Sequence, residues 1–279
     1  MTDEADESAA AADQPGLPAG FDTTRPRQAR IYDYWLGGKD NFAVDREAAE
    51  RALAAYPGLR RGVRAQRAFL ANVVEYLARS QGIRQFLDIG TGIPTANNTH
   101  EVAHAVDPDA RIVYLDNDPV VLLHARALLT GVRPGTTSYI DADARDTDRI
   151  LTEAAALLDF SQPIAVLFIG ILQLIPDEDD PAAIVTRLIE AVAPDSWLAI
   201  FHPASDILAD QIGEVARQVN ANVVTPTTLR NRQQVLRFFD GLELMDPPGL
   251  VQVHRWLPGA AAPDMGDEIP GYAGLARKP

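Results

Sequence analysis

The stretch that decides the fold is Phe86-Leu87-Asp88-Ile89-Gly90-Thr91-Gly92-Ile93-Pro94-Thr95. Its apolar start is typical of a buried strand, and a helical pattern begins soon afterwards, near residue 96. Gly90 and Gly92 permit backbone conformations, and a close approach of a ligand, that a β-carbon would prevent. Thr95 stands where a dinucleotide-binding fingerprint carries its third glycine. The stretch therefore predicts a strand, a glycine turn that serves either ligand binding or close packing, and a helix.

Acidic residues follow the next two predicted strands. Asp116 ends the apolar run 112–115, and Asp143 comes shortly after a run that ends at residue 140. In nucleotide-binding α/β folds, an acid at the end of the second strand accepts hydrogen bonds from ribose hydroxyls. Asp118, just before Pro119, reads more simply as the cap of the next helix. Because parallel strands end at one edge of a sheet, these three strand ends predict a single ligand site.

Beyond Gly82, short apolar runs alternate with helical patterns, which predicts a parallel sheet covered on both faces. Strands are predicted at 85–89, 111–115, 137–140, 164–169, 197–201, 250–255 and 272–276. Helices are predicted at 96–106, 119–130, 147–158, 181–192, 206–220 and 232–239. The predicted fold class is α/β: a doubly wound, Rossmann-like, mostly parallel seven-stranded sheet with an N-terminal helical cap.

The chain divides into three predicted regions. Residues 1–20 carry five acids, no bases and no apolar periodicity, which predicts a disordered acidic tail. Residues 21–84 are helical in pattern, with breaks at Gly37-Gly38 and Pro57-Gly58, and are predicted to form the cap or lid. The remainder, 85–279, is predicted to form the Rossmann-like domain.

Composition excludes several classes of protein. The 279 residues are 47% hydrophobic and carry a net charge of −14, which argues against wholesale disorder and against nucleic-acid binding. The absence of cysteine removes disulfides, thiol nucleophiles and cysteine-ligated metals. The five histidines lack a convincing metal-ligand spacing, so no metal is expected. No apolar run has transmembrane length and no signal peptide is recognisable, which predicts a cytoplasmic protein without membrane association.

The turn Asp88-Ile89-Gly90-Thr91-Gly92 and Asp116 resemble motifs of the class I S-adenosylmethionine-dependent methyltransferases. The resemblance implies S-adenosylmethionine as cofactor, with Asp88 helping to hold its methionine end and Asp116 its ribose. It places Asp143 near the adenine amino group. An acidic rim suits a sulfonium ligand that has no pyrophosphate better than it suits a dinucleotide. The other expected cofactor-binding residues are Thr91, Asn117, Ala144 and Gly170.

A second segment, Tyr32-Asp33-Tyr34-Trp35-Leu36-Gly37-Gly38-Lys39-Asp40-Asn41, resembles more closely the actinobacterial S-adenosyl methyltransferase family once catalogued as a domain of unknown function. With this resemblance the segment becomes a candidate lid. Lys39 would pair with the cofactor's carboxylate and Asn41 with its amino or ribose groups, while Tyr32 and Tyr34 would form a wall for the substrate. An ordinary helix–helix turn also explains the same residues. The family carries a histidine where this chain has Gln173.

The predicted function is methyl transfer from S-adenosylmethionine to an unidentified, small-molecule acceptor. Gln173, after the fourth strand, is expected to line the acceptor side of the site. His202, after the fifth strand, is the candidate general base, because an imidazole titrates near neutral pH; a simple loop histidine is the other interpretation. Two alternatives remain: a cofactor-binding sensor or scaffold without methyl transfer, and an NAD(P)-dependent reductase, which the missing third glycine disfavours.

Overall fold

The computed structural model describes residues 22–129, 133–221, 223–260 and 267–279, so the predicted acidic tail lies outside the described residues. The helices are α1 (Gln28–Leu36), α2 (Ala43–Ala55), α3 (Leu59–Ser80), α4 (Thr99–Val106), α5 (Pro119–Leu129), α6 (Thr147–Ala154), α7 (Pro181–Ala191), α8 (Ala209–Asn220) and α9 (Arg232–Leu236). The strands are β1 (Gln85–Ile89), β2 (Arg111–Asp116), β3 (Thr137–Asp141), β4 (Ala165–Ile169), β5 (Trp197–Pro203), β6 (Glu243–Leu244), β7 (Val251–Gln252) and β8 (Gly271–Arg277). Within these ranges, no helix combines the length and apolar character needed to cross a bilayer.

The strands form one sheet in the order β3-β2-β1-β4-β5-β8-β6, with β7 also paired to β8. Strands β1 to β5 are mutually parallel, and β8 runs antiparallel to β5. The chain reverses direction across the sheet between β1 and β4, which is the position where doubly wound folds bind ligands. The predicted α/β class and mostly parallel sheet are confirmed.

The strand count differs from the predicted seven, because the described residues form eight strands. The additional strand, β6, is two residues long and pairs with the end of β8, so it is too short to show an alternating pattern. The strand predicted at 250–255 shrinks to β7, since the chain turns into a 3-10 helix at Val253–Arg255. Both differences lie at the antiparallel end of the sheet, away from the glycine turn.

Both faces of the central strands are buried. In β1, Leu87 and Ile89 pack into a core on one face, while Phe86 packs into a second core on the other. The apolar side of α3 joins this second core through Phe69 and Val73. Burial on both faces explains why polar and apolar residues do not alternate along β1.

The N-terminal helices cover one end of the sheet. Helices α1 and α2 share a third apolar cluster with the start of α3 and with α8, a helix of the sheet domain. An ion pair between Arg30 and Asp45, both with fully buried side chains, links α1 to α2. Asp45 also accepts hydrogen bonds from the backbone N–H groups of Arg27 and Phe42, at 3.0 and 2.9 Å. The cap is therefore packed against the domain and is not a loose flap.

Candidate active site

A cavity lies between the cap and the carboxyl ends of the parallel strands. It is bordered by the ends of β1, β2, β4 and β5 and by faces of α1, α3 and α8. The sequence-predicted site residues that line it are Tyr32, Asp88, Gly90, Thr91, Gly92, Asp116, Asn117, Gly170 and Gln173.

The glycine turn fills the space between three strand ends. Gly90 has a φ of +71° and Gly92 a φ of +68°, which L-residues with side chains rarely adopt. The N–H of Gly90 donates to the carbonyl of Leu115 at 2.8 Å, which ties the turn to β2. A β-carbon on Gly90 would lie 2.6 Å from the Ile171 side chain, whereas one on Gly92 would meet nothing within 4 Å. Gly90 thus serves packing, and Gly92 leaves open space at the cavity.

Asp116 lies directly beside this open space. One carboxylate oxygen accepts from the N–H of Gly92 at 2.8 Å, and the other from the N–H of Asp118 at 2.9 Å. Removal from solvent raises the pKa of Asp116 to about 6, although these backbone hydrogen bonds favour the carboxylate. The Asn117 side chain donates to Asp143 at 3.3 Å. Asp116 therefore presents a fixed acceptor group to the cavity.

Asp88 is the deeper of the two acids. Its side chain is buried in the middle of the sheet edge and accepts a hydrogen bond from the Thr99 hydroxyl at 2.6 Å. Burial raises the pKa of Asp88 to about 6, while the nearby positive charge of Arg67 opposes that shift. Burial thus raises the pKa of both carboxyl groups above that of an exposed aspartate.

Arg67, on α3, is a cavity residue that sequence reasoning missed. Its terminal nitrogen Nη2 donates to the carbonyls of Ala96 and Asn97 at 3.0 and 3.1 Å, in the loop after β1. Its Nε is buried and has no hydrogen-bond partner in the described part of the chain. A signal was present, since Arg67 falls four residues after Val63 and three before Leu70 and so interrupts an apolar helix face.

Gln66, the preceding residue of α3, was missed as well. Its side chain donates to the carbonyl of Ile169 at 2.9 Å. The Gln66 amide fills the space beside Gly170. A β-carbon at Gly170 would lie only 2.4 Å from the Gln66 Nε2. Gln173 donates to the Gly170 carbonyl at 2.6 Å, and its Oε1 has no partner among the described residues. Two glutamines thus surround the backbone that follows β4.

The profile of a family described as S-adenosyl methyltransferase matches residues 15–279 of this chain. The chain belongs to that family. A DUF574 family protein from Streptomyces avermitilis MA-4680 is 43% identical, with 92% of this chain and 99% of that chain covered and a TM-score of 0.87. A protein of Thermobifida fusca YX, provisionally termed a methyltransferase, is 38% identical over 95% of this chain and 99% of its own, with a TM-score of 0.86.

More distant likeness concerns the fold alone. The plantazolicin methyltransferase BamL is 11% identical to this methyltransferase, covers 90% of it over 95% of its own length, and has a TM-score of 0.50. A comparison with curated proteins found no significant match. Family membership confirms the resemblance inferred from the sequence and makes S-adenosylmethionine the cofactor of this methyltransferase.

The segment around Lys39 does not reach the cavity of the methyltransferase. Lys39 is exposed and does not line the cavity, and Asn41 donates instead to the Asp33 carboxylate at 2.8 Å. The backbone N–H of Asp40 donates to the same carboxylate at 2.9 Å, and a β-carbon on Gly38 would overlap it. The segment wraps around a side chain of its own helix, and neither Lys39 nor Asn41 lines the cavity.

Three other expected site residues lie outside the cavity lining. The Tyr34 hydroxyl donates to Glu50 on the surface of the cap. Neither Asp143 nor Ala144 lines the cavity. Asp143 is held by Arg145, whose Nε and Nη2 donate to it at 2.8 and 2.7 Å and keep the pKa of Asp143 below its usual value. Asp143 is therefore connected to the cavity lining by its hydrogen bond with Asn117.

His202, the candidate general base, does not line the cavity. Phe201 and Pro203 line the cavity, and because side chains alternate along a strand, His202 faces the opposite side of the sheet. It is fully buried, and burial lowers its pKa to about 3. Its Nδ1 donates to the Pro203 carbonyl at 2.8 Å, and its Nε2 accepts from Arg230 at 3.0 Å. Both ring nitrogens are engaged, so this neutral imidazole serves the core.

Arg230 organises the loop that carries Gln173. Its guanidinium is buried and donates to the carbonyls of Leu172 and Ile175, both at 2.8 Å. It also donates to one oxygen of Asp177, at 3.0 Å from Nε and 2.6 Å from Nη2. Together with His202, these partners use the whole donor set of the side chain. Arg230 therefore fixes the backbone after β4 from the side opposite to Gln66.

Proposed function

We propose that this methyltransferase is catalytically active, that it binds S-adenosylmethionine at the ends of β1 and β2, and that it methylates a small molecule held beneath the cap. The observation that carries the proposal is that one cavity joins the glycine turn and its two carboxylates to an apolar wall beyond β4. Positioning both reactants in one cavity is a major contribution that an enzyme makes to a displacement reaction.

The residues present fit the cofactor. Gly92 leaves room for a ligand to approach the backbone, and Asp116 offers oxygens to ribose hydroxyls. Asp88 supplies a negative charge for the ammonium of the methionine end. Arg67, with an Nε that lacks a partner among the described residues, supplies the positive charge for its carboxylate. Bound S-adenosylmethionine brings a methyl group already activated by a sulfonium, so the chain needs to orient the acceptor and exclude water.

One alternative is weighed against this proposal. A cofactor-binding sensor without methyl transfer is favoured by the neutral, buried His202 and by the lack of any other histidine along the described cavity wall. An acceptor atom that ionises in water does not need such a base. The decisive assay is transfer of a tritiated methyl group to a panel of metabolites, and incorporation into none of them would favour the sensor.

The assignment of Arg67 is tested by calorimetry with S-adenosylhomocysteine and methylthioadenosine, which lacks the amino-acid end. We expect Arg67→Met to weaken S-adenosylhomocysteine roughly tenfold or more and to leave methylthioadenosine unchanged, given the usual strength of a charged hydrogen bond. Lys39→Met is the matched control and should change neither affinity. An effect of Lys39→Met in place of Arg67→Met would restore the lid hypothesis, and equal weakening of both ligands by Arg67→Met would remove Arg67 from the methionine end.

A further inference from the structure

The charge along the cavity wall is divided unequally between its two ends. In the described part of the chain, the charged lining residues are Arg27, Arg67, Asp88, Asp116 and Asp118. Asp88 lies on β1, and Asp116 and Asp118 end or follow β2. Arg27 pairs with Asp118 at 3.8 Å, and Arg67 binds the loop after β1. These five residues, with the glycine turn, are called the cofactor half.

The opposite end of the cavity, beyond β4, is built mainly from apolar and aromatic side chains, with Thr225 and Thr227 among its polar members. It takes side chains from α1, α3, β5, α8 and the segment before β8. We call it the acceptor half, and its main members are Tyr32, Trp35, Val63, Phe201, Val215 and Ile269.

Three polar side chains in the acceptor half, those of Tyr32, Gln66 and Gln173, already donate hydrogen bonds within the protein. Tyr32 donates to the Val63 carbonyl at 3.2 Å, and burial raises the pKa of its hydroxyl, so it stays protonated. The amide nitrogens of Gln66 and Gln173 donate to the carbonyls of Ile169 and Gly170. Among the fully buried polar atoms of this half, the one without a partner in the described residues is an oxygen, Oε1 of Gln173. The side chains of this wall carry no charge and can accept a hydrogen bond from a ligand; Arg67, whose charge acts on Tyr32, is the cation that the proposed function assigns to the cofactor's carboxylate.

We propose that the acceptor half binds an uncharged, ring-bearing apolar molecule that carries a hydroxyl group. This inference rests on the proposed function, because it assigns the acceptor of that same site. A buried ionised group without a counter-charge is strongly disfavoured, which excludes carboxylated and phosphorylated ligands from this half. A flat ring would pack against Tyr32, Trp35 and Phe201, and its hydroxyl would donate a hydrogen bond to Oε1 of Gln173.

The test uses the full chain and three probes of one ring shape: 2-naphthol, 2-naphthoate and 2-naphthylmethylammonium. Each is titrated calorimetrically at pH 7 into the protein saturated with S-adenosylhomocysteine. We expect 2-naphthol to bind at least tenfold more tightly than either charged probe. Equal or tighter binding of 2-naphthoate or of the ammonium probe would overturn the inference, and so would no binding of 2-naphthol.

A pair of variants on α8 locates the binding. Ala216 lines the cavity, so Ala216→Asp should weaken 2-naphthol at least tenfold. Gln211→Asp adds the same charge at an exposed position of α8 and should leave 2-naphthol affinity unchanged. S-adenosylhomocysteine affinity should be unchanged in both, which also shows that they are folded. If the parent fails to bind S-adenosylhomocysteine the proposed function fails, whereas unaltered 2-naphthol binding by Ala216→Asp contradicts only the acceptor half.

Discussion

Two alanine substitutions in the glycine turn separate packing from backbone strain. Gly90 and Gly92 have nearly the same φ, +71° and +68°, so alanine is strained to a similar extent at both, by about 1–2 kcal/mol. Only at Gly90 would the new β-carbon overlap a neighbour, at 2.6 Å from the Ile171 side chain. Overpacking of this kind costs about 1–3 kcal/mol. We therefore expect Gly90→Ala to lose roughly 2–5 kcal/mol of the free energy of unfolding, and Gly92→Ala roughly 1–2 kcal/mol.

Urea unfolding followed by tryptophan fluorescence and by circular dichroism measures both losses, provided that the two probes give coincident transitions. A double-mutant cycle with Ile171→Gly tests the cause, because that change removes the atoms that the new methyl group would meet. The double variant should recover about 1–3 kcal/mol, the overpacking cost, relative to the sum of the single losses. Equal losses in the two alanine variants, or a coupling energy near zero, would refute the steric explanation.

Three further outcomes follow from the geometry of the site. The affinity for S-adenosylhomocysteine should fall as the pH drops below about 6, because the raised pKa values of Asp88 and Asp116 let protons compete with the ligand; an affinity that stays constant from pH 8 to pH 5 would contradict this. Asp116→Ala should make binding of the same ligand at pH 8 less favourable by roughly 1.5–3 kcal/mol, while the variant remains folded in a thermal melt. His202→Gln, which keeps an acceptor for Arg230, should leave ligand affinity within twofold of the parent, and a larger loss measured by calorimetry would return His202 to the site.

Much of the cofactor half could be predicted from the sequence for a simple topological reason. Asp88, Gly90, Gly92 and Asp116 lie at or just beyond the ends of two parallel neighbouring strands, so their position along the chain already determines their position at the sheet edge. No knowledge of side-chain packing was needed. The short strand β6 was missed, because two residues carry no periodicity.

The positions of other candidate residues depend on tertiary packing, which the local sequence pattern does not reveal. His202 stands on a strand buried on both faces, so no alternation of polar and apolar residues indicates which face it takes. The sequence-based hypothesis placed Lys39 in the site because it is a cation. In the structure, the segment that carries Lys39 is hydrogen-bonded to the Asp33 carboxylate and does not line the cavity. Arg67 could have been identified from the sequence, because it places a charge on the apolar face of a predicted helix.

The two halves of the cavity come from different parts of the chain, and this matters for how new specificities arise. Asp88, Asp116 and the glycine turn of the cofactor half lie at strand ends, where a substitution would disturb the sheet. The acceptor half draws on α8, an amphipathic helix whose exposed face has few constraints. Substitutions at its cavity-facing positions can therefore reshape the space for the acceptor while the strand ends remain intact. For directed evolution, α8 is the element of this methyltransferase to randomise first.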